Sequence, residues 1–236
     1  MSFLIAVHVN EGIVLASDRR TTYNNTQEID GKIVKRIGVH TTNSTDKTFM
    51  CPNGAAISTC GDASLLGKPI TGFIQEMIRT KIDKDCAVED IPEIIINYFH
   101  GFNTVPDTIF IVAGYKKGSI GKKQYLCRVF VKSKKTEERD TTSQGAIWNG
   151  ETQTLTRLIN SVALKIDGNN YSDLPCEDIL WQYFTLQDAV DFAKYAVETT
   201  IQTMRFKNVV ETVGGNVDIL VITPDETKWL QKEQLK

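Results

Sequence analysis

The first strand-like segment is apolar on both of its alternating faces. Phe3, Ile5, Val7 and Val9 lie on one side, and Leu4 and Ala6, with His8 beside them, on the other. A strand of this kind is covered on both sides, which places it inside a layered fold. Asn10-Glu11-Gly12 is a turn signal, after which Ile13–Ser17 resumes the β pattern. Read as a three-residue loop, the turn sets Val9 opposite Ile13, Leu4 opposite Asp18 and Ser2 opposite Arg20. Ser2, Asp18, Arg20 and Thr22 then share one face, with Ser2 and Asp18 diagonal neighbours roughly 7–8 Å apart. Ala55–Thr59, Thr108–Ala113, Tyr125–Val131 and Val217–Thr223 repeat the strand signature.

Helical spacing occurs four times. Leu66, Ile70, Phe73, Ile74, Met77 and Ile78 mark the first, with Pro69 in its opening turn or kinking it. Ile91, Ile94, Ile95 and Phe99 mark the second, with Pro92 placed near its start. Leu155, Leu158, Ile159 and Val162 mark the third; Ala189, Ala193, Ala196, Val197, Ile201 and Met204 mark the fourth. Strand runs interleaved with helix pairs predict an α+β fold of two stacked antiparallel sheets flanked by helices, not a βαβ repeat. Residues 21–46 are polar and turn-rich and read as a hairpin insertion. The charged stretches Lys116–Lys123 and Lys132–Arg139 read as solvated hairpin ends.

The chain has 236 residues, which fits one domain spanning 1–236. At 41% hydrophobic and 24% charged residues the composition is globular. No apolar run is long enough to span a bilayer, and Met1–Asn10 lacks the features of a secretory signal. A net charge of −2 leaves no general footprint for nucleic acid. Five scattered cysteines without a C-x-x-C pair support neither a disulfide framework nor a zinc site, so a reducing cytoplasm is the expected location. Phosphate-loop, dinucleotide, zinc-protease and G-x-S-x-G motifs are absent from the sequence, and neither cofactor nor metal is expected. Of the three histidines, His8 reads as a core or interface residue and His100 as a charge at a helix C-terminus.

Candidate chemistry concentrates at the N-terminus. Met1 precedes a small residue, Ser2, so removal of the initiator Met is expected. A free Ser2 carries hydroxyl and α-amine on one residue and can be nucleophile and general base at once. A lysine held by Asp18 would complete such a site.

Ser2-Phe3-Leu4-Ile5-Ala6-Val7, followed by Glu11-Gly12-Ile13-Val14-Leu15-Ala16-Ser17-Asp18-Arg19-Arg20-Thr21-Thr22, resembles the start of proteasome β-subunits and their bacterial relatives. These are N-terminal-nucleophile (Ntn) hydrolases. Ala56–Ala63 resembles their strand-to-helix junction, and Gly214–Thr223 their last core strand. The resemblance implies a four-layer αββα sandwich and amide-bond hydrolysis by Ser2, with Asp18 holding a lysine. It also implies an oxyanion-hole N–H at Ser58 and peptide alignment by backbone groups near Thr22. Self-association into a ring is implied too, acting on a peptide or protein substrate with or without an unfoldase partner. Two other readings keep the fold: a catalytically inactive scaffold, and a non-proteolytic amidase acting on a small substrate.

The lysine is not fixed by position, because the insertion lengthens the loop after Asp18. Lys47 is the first choice, with Lys32 and Lys35 as alternatives. Further departures from the family pattern are Ser in place of Thr as nucleophile, and Val210-Glu211-Thr212-Val213 where an Asp and a Ser often stand.

Overall fold

The computed structural model describes residues 2–117 and 121–233. The chain opens with β1 (Phe3–Val9) and β2 (Gly12–Asp18), fully buried along their length. A polar ribbon follows, β3 (Thr21–Ile29) and β4 (Lys32–Thr42), turning at Asp30-Gly31. Next come β5 (Thr48–Met50), β6 (Ala56–Gly61) and the short pair β7 (Ser64–Leu65) and β8 (Lys68–Pro69). Helix α1 (Ile70–Lys81) begins immediately after Pro69, which supplies no N–H and so ends the pair without interrupting the helix. Leu66 falls in the preceding turn, at positive φ, rather than on the helix. Helix α2 (Ile91–His100) carries Pro92 in its first turn. Then follow β9 (Thr108–Lys117), β10 (Lys122–Phe130), β11 (Lys135–Glu138), β12 (Gly145–Gly150) and the short helix α3 (Gln153–Ile159). A second ribbon, β13 (Ala163–Asp167) and β14 (Asn170–Asp173), precedes the long helix α4 (Leu186–Arg205), and β15 (Val217–Ile222) and β16 (Thr227–Gln231) close the described chain.

Two five-stranded antiparallel sheets form, ordered β12-β1-β2-β15-β16 and β11-β10-β9-β6-β5. Leu4, Ala6, Ile13, Leu15 and Leu220 of the first meet Ala56, Ile111, Ala113 and Leu126 of the second in one buried cluster. The other face of the first sheet packs Phe3, Ile5, Val14 and Ile219 against Ala189, Ala193 and Val197 of α4. The other face of the second packs Ile57, Phe110 and Val112 against Ile74 and Met77 of α1 and Ile95 and Phe99 of α2.

The expected four-layer αββα sandwich is corrected by this arrangement. Strands make up 41% of the structure against 24% helix, and the strands fall into several separate sheets, three of them two-stranded ribbons. The physical reasons are local. α3 spans only seven residues and Val162 lies outside it, so α4 is the single long helix on its side. The polar stretches at 21–42 and 163–173 pair with themselves rather than joining either main sheet. The protein is mostly β.

The first hairpin also differs from expectation. Its register pairs Val9 with Gly12 and Leu4 with Ser17, so the loop has two residues, Asn10 and Glu11. Every partner shifts by one, and Ser2, Asp18, Arg20 and Thr22 do not share a face by strand parity. His8 is buried between the sheets, and His100 bonds through Nε2 to the Val131 carbonyl oxygen at 2.8 Å.

Candidate active site

Asp18 ends β2 inside the protein, and its carboxylate accepts from four donors. Oδ1 takes the Phe3 N–H at 3.0 Å and the Lys47 ammonium at 2.7 Å. Oδ2 takes the Arg20 N–H at 3.0 Å and the Gly214 N–H at 2.9 Å. Continuing the observed register sets Phe3 opposite Asp18, so the carboxylate binds the first N–H of β1 where the ladder runs out. Lys47 and Phe3 N share one oxygen, which brings the ammonium to the root of Ser2. Sequence parity predicted this meeting through a shared face. The structure instead joins Asp18 to the Phe3 N–H at the end of the hairpin, and among the described residues the Lys47 ammonium makes no hydrogen bond to Ser2.

Lys47 precedes β5 and is 3% exposed. Besides Asp18 its ammonium donates to the Arg20 carbonyl oxygen. Burial pushes its pKa down, against the attraction of Asp18. Lys32 stands far from this site in sequence register, beside the exposed turn of the β3–β4 ribbon, and the Lys35 side chain lies outside the described residues. Ser2 is 7% exposed, and its carbonyl oxygen accepts from the Glu151 N–H at 2.8 Å, which ties the residue to the end of β12. Met1 lies outside the described residues.

Ser2, Thr22 and Lys47 line one narrow, partly open cleft with a free volume of about 30 Å³. Thr22 is buried, with its hydroxyl on the Glu211 carbonyl oxygen at 3.2 Å. Ser58 is not brought there. Its hydroxyl bonds Thr48 Oγ1 at 2.8 Å, which in turn bonds Ser17 Oγ at 2.9 Å, and all three are sealed between the sheets. The Thr59 N–H donates to the Lys47 carbonyl oxygen at 2.9 Å, so by strand alternation the Ser58 amide faces β9 instead. The same alternation aims the Gly61 amide past the start of β5, and Gly61 lines the cleft. A Cβ at Gly61 would sit 2.3 Å from the Asp107 carbonyl oxygen at φ +124°, so only glycine fits.

Cys60 also lines the cleft, but burial pushes its thiol up to about 12, which keeps it neutral and a poor rival nucleophile. Glu211 forms an ion pair with Arg20. Arg19 braces the back of the site, donating to Asp218 at 2.6 Å and Asp46 at 2.8 Å. Sequence reading missed the Gly214 N–H, the Glu151 N–H and Gly61. The Gly214-Gly215 pair was the available signal for the first. The strand β12 was the missing context for the second.

No protein-family model matches the chain, and no curated protein matches it. Among solved structures, Anbu from Hyphomicrobium sp. strain MC1 superposes with a TM-score of 0.57 at 12% identity, covering 98% of this chain and 88% of that one. A second structure, the Anbu (Gly-1) mutant from the same strain, gives a TM-score of 0.58 at 13% identity, covering 99% and 86%. Anbu is a bacterial protein of proteasome-like, Ntn-hydrolase fold. The resemblance to proteasome β-subunits is thereby corrected: these two solved structures are Anbu, at an identity that carries fold alone. The chain has a proteasome-like fold.

Proposed function

We propose that the protein hydrolyses amide bonds of peptides with Ser2 as an N-terminal nucleophile. The observation that supports this best is the buried Lys47–Asp18 pair, whose lysine lines the same cleft as Ser2 and whose carboxylate also holds the N–H of Phe3, the residue next to Ser2. Ser2 Oγ attacks the carbonyl carbon and its proton passes to the Ser2 α-amine. The Lys47 cation favours the neutral amine and the developing alkoxide, while Asp18 offsets the cost of burying that cation. The Gly61 N–H, in the role first assigned to Ser58, donates to the oxyanion. Collapse of the tetrahedral species breaks the C–N bond, the amine nitrogen returns its proton to the leaving group, and water then cleaves the acyl ester. The end of β6 that runs past its pairing with β5, with Thr22 across the cleft, suits an extended peptide added as a strand.

This chemistry requires Ser2 to be the first residue of the mature chain. An intact mass decides that point. Turnover of fluorogenic peptide amides, abolished in Ser2→Ala, tests the rest; wild-type turnover in Ser2→Ala would refute the assignment. The scaffold reading has one observation in its favour: Glu211, near the family's usual Asp and Ser, is committed to Arg20 rather than to Ser2. A retained Met1, together with no turnover, selects it. The proposal includes assembly of several copies into a closed particle in the cytoplasm. Among the described residues, no helix is long and apolar enough to cross a membrane.

A further inference from the structure

We propose that the cleft beside Ser2 is a subsite for a carboxamide side chain, glutamine or asparagine, on the acyl side of the cleaved bond. The inference rests on the amide-hydrolase reading and names its substrate class.

Three features of the cleft wall carry it. Thr59 lines the cleft, is 5% exposed, and its Oγ1 has no hydrogen-bond partner among the described residues. It shares a sheet face with Ile57, which packs against α1, so the hydroxyl lies on the side where α1 begins. That helix starts without a side-chain cap. Pro69 has no N–H, Ile70 N donates to the Ala63 carbonyl oxygen at 3.1 Å, and the next amides, Thr71 and Gly72, have no protein acceptor among the described residues. Ile70 and Thr71 line the same cleft. A buried hydroxyl and uncapped helix amides therefore await an acceptor oxygen, and the helix's first turn holds no acidic residue to supply one.

The charges choose between acceptors. Asp46 and Asp62 also line the cleft; Asp46 is paired with Arg19, and Asp62 accepts the Asp107 N–H at 2.7 Å. Lys47 is committed to Asp18 and Asp46 to Arg19, so the charge left over in the cleft is that of Asp62, and a carboxylate side chain meets a like charge there. A carboxamide presents its carbonyl oxygen to Thr59 and α1 and its NH₂ to the aspartates. An aliphatic side chain leaves the Thr59 hydroxyl and the amides buried without partners.

The test uses Ser2→Ala protein, in which binding is separated from turnover. Acetylated tetrapeptide amides of the form Ac-Ala-Ala-Ala-X-NH₂, with X as Gln, Asn, Leu or Glu, are titrated by NMR. Gln or Asn is expected to bind at least about tenfold tighter than Leu and Glu. Thr59→Val, which swaps the hydroxyl for a methyl at equal volume, should bring the Gln-to-Leu ratio close to one, while Thr59→Ser keeps it. If Thr59→Val does not fold, Thr71→Pro removes an amide donor from the helix start and should also lower the ratio. Equal binding of Leu or Glu, an unchanged ratio in the variant, or no binding by all four peptides overturns the inference. Wild-type cleavage after Leu in preference to Gln sinks the subsite alone. A carboxamide preference in binding, with no turnover by wild type, sinks the hydrolase reading alone.

Discussion

Asp18 and Lys47 form one ion pair, yet their deletions should differ in kind. Asp18 organises three backbone amides besides the ammonium, from β1, from the residue after Arg19 and from the approach to β15. Asp18→Ala leaves those amides and a buried cation without a partner, at an expected loss of about 3–5 kcal/mol. Lys47→Met leaves Asp18 with its three amides, so about 1–3 kcal/mol is expected while the protein stays folded and inactive. Urea unfolding checks the contrast; equal losses would mean that the amides contribute little. This cluster was legible in part. Ser2, Asp18 and Lys47 all emerged as candidates from the residues themselves and their resemblance. The turn was misread because Gly12 is a glycine for a tertiary reason. A Cβ there would sit 2.7 Å from the Ile222 carbonyl oxygen, so the residue belongs to the strand and not to the loop. No local pattern carries that information. Ser58 came from the family resemblance alone, and strand alternation turns its amide toward β9 instead of the cleft.

At the scale of elements, α4 is held at its N-terminus from two directions. Thr185 and Asp188 form a capping box, and Glu11, from the β1–β2 turn, accepts the Leu186 N–H. Because α4 covers the outer face of the hairpin that ends in Asp18, its start bears on the site. Thr185→Ala should cost about 1 kcal/mol in urea unfolding. Thr152, which begins α3 without a side-chain cap, should tolerate alanine within about 0.5 kcal/mol. If both cost the same, the box is not the cause. α4 was readable because a long 3.6-residue period survives local noise. The ribbons were less so. β13 and β14 are exposed on both faces and carry no alternation for burial to impose. β12 pairs only with β1 in its sheet, and its run from Gly145 to Gly150 is too short and mixed to stand out. Helix content was therefore overestimated on one side, and strand content underestimated overall.

The whole molecule has two surfaces that respond to conditions. One is internal: His8, buried between the sheets, has its pKa lowered to about 4 by burial, with Arg139 adding and Asp140 opposing. The unfolded chain binds that proton near pH 6.5, so the stability His8 confers is full above about 6.5 and is lost as pH falls toward 4. The loss should be about 2–3 kcal/mol, and His8→Leu should flatten the urea midpoint across that window relative to wild type. The other surface is external. The β3–β4 ribbon leaves Ile33 79% and Ile37 61% exposed, and the β13–β14 ribbon exposes Ile166 and Tyr171. A two-stranded ribbon is marginal in water on its own, and apolar side chains grouped on one mark a contact surface. The first ribbon carries Lys32, Lys35 and Arg36 against Glu28 and Asp30, while the second ribbon and the segment after it carry Asp167, Asp173, Glu177 and Asp178 against Lys165. Opposite charges on two different patches suit a head-to-tail contact, which closes into a ring when the rotation per copy allows. Light scattering at micromolar concentration should give a multiple of the 26.4 kDa chain mass. The double variant Ile33→Lys, Ile37→Lys should fall to the monomer mass, with a thermal midpoint that no longer depends on protein concentration. The cleft is built within one chain, so that monomer should keep a share of any peptide turnover. A wild-type monomer, or an assembly indifferent to the two lysines, would remove the ribbon from the contact.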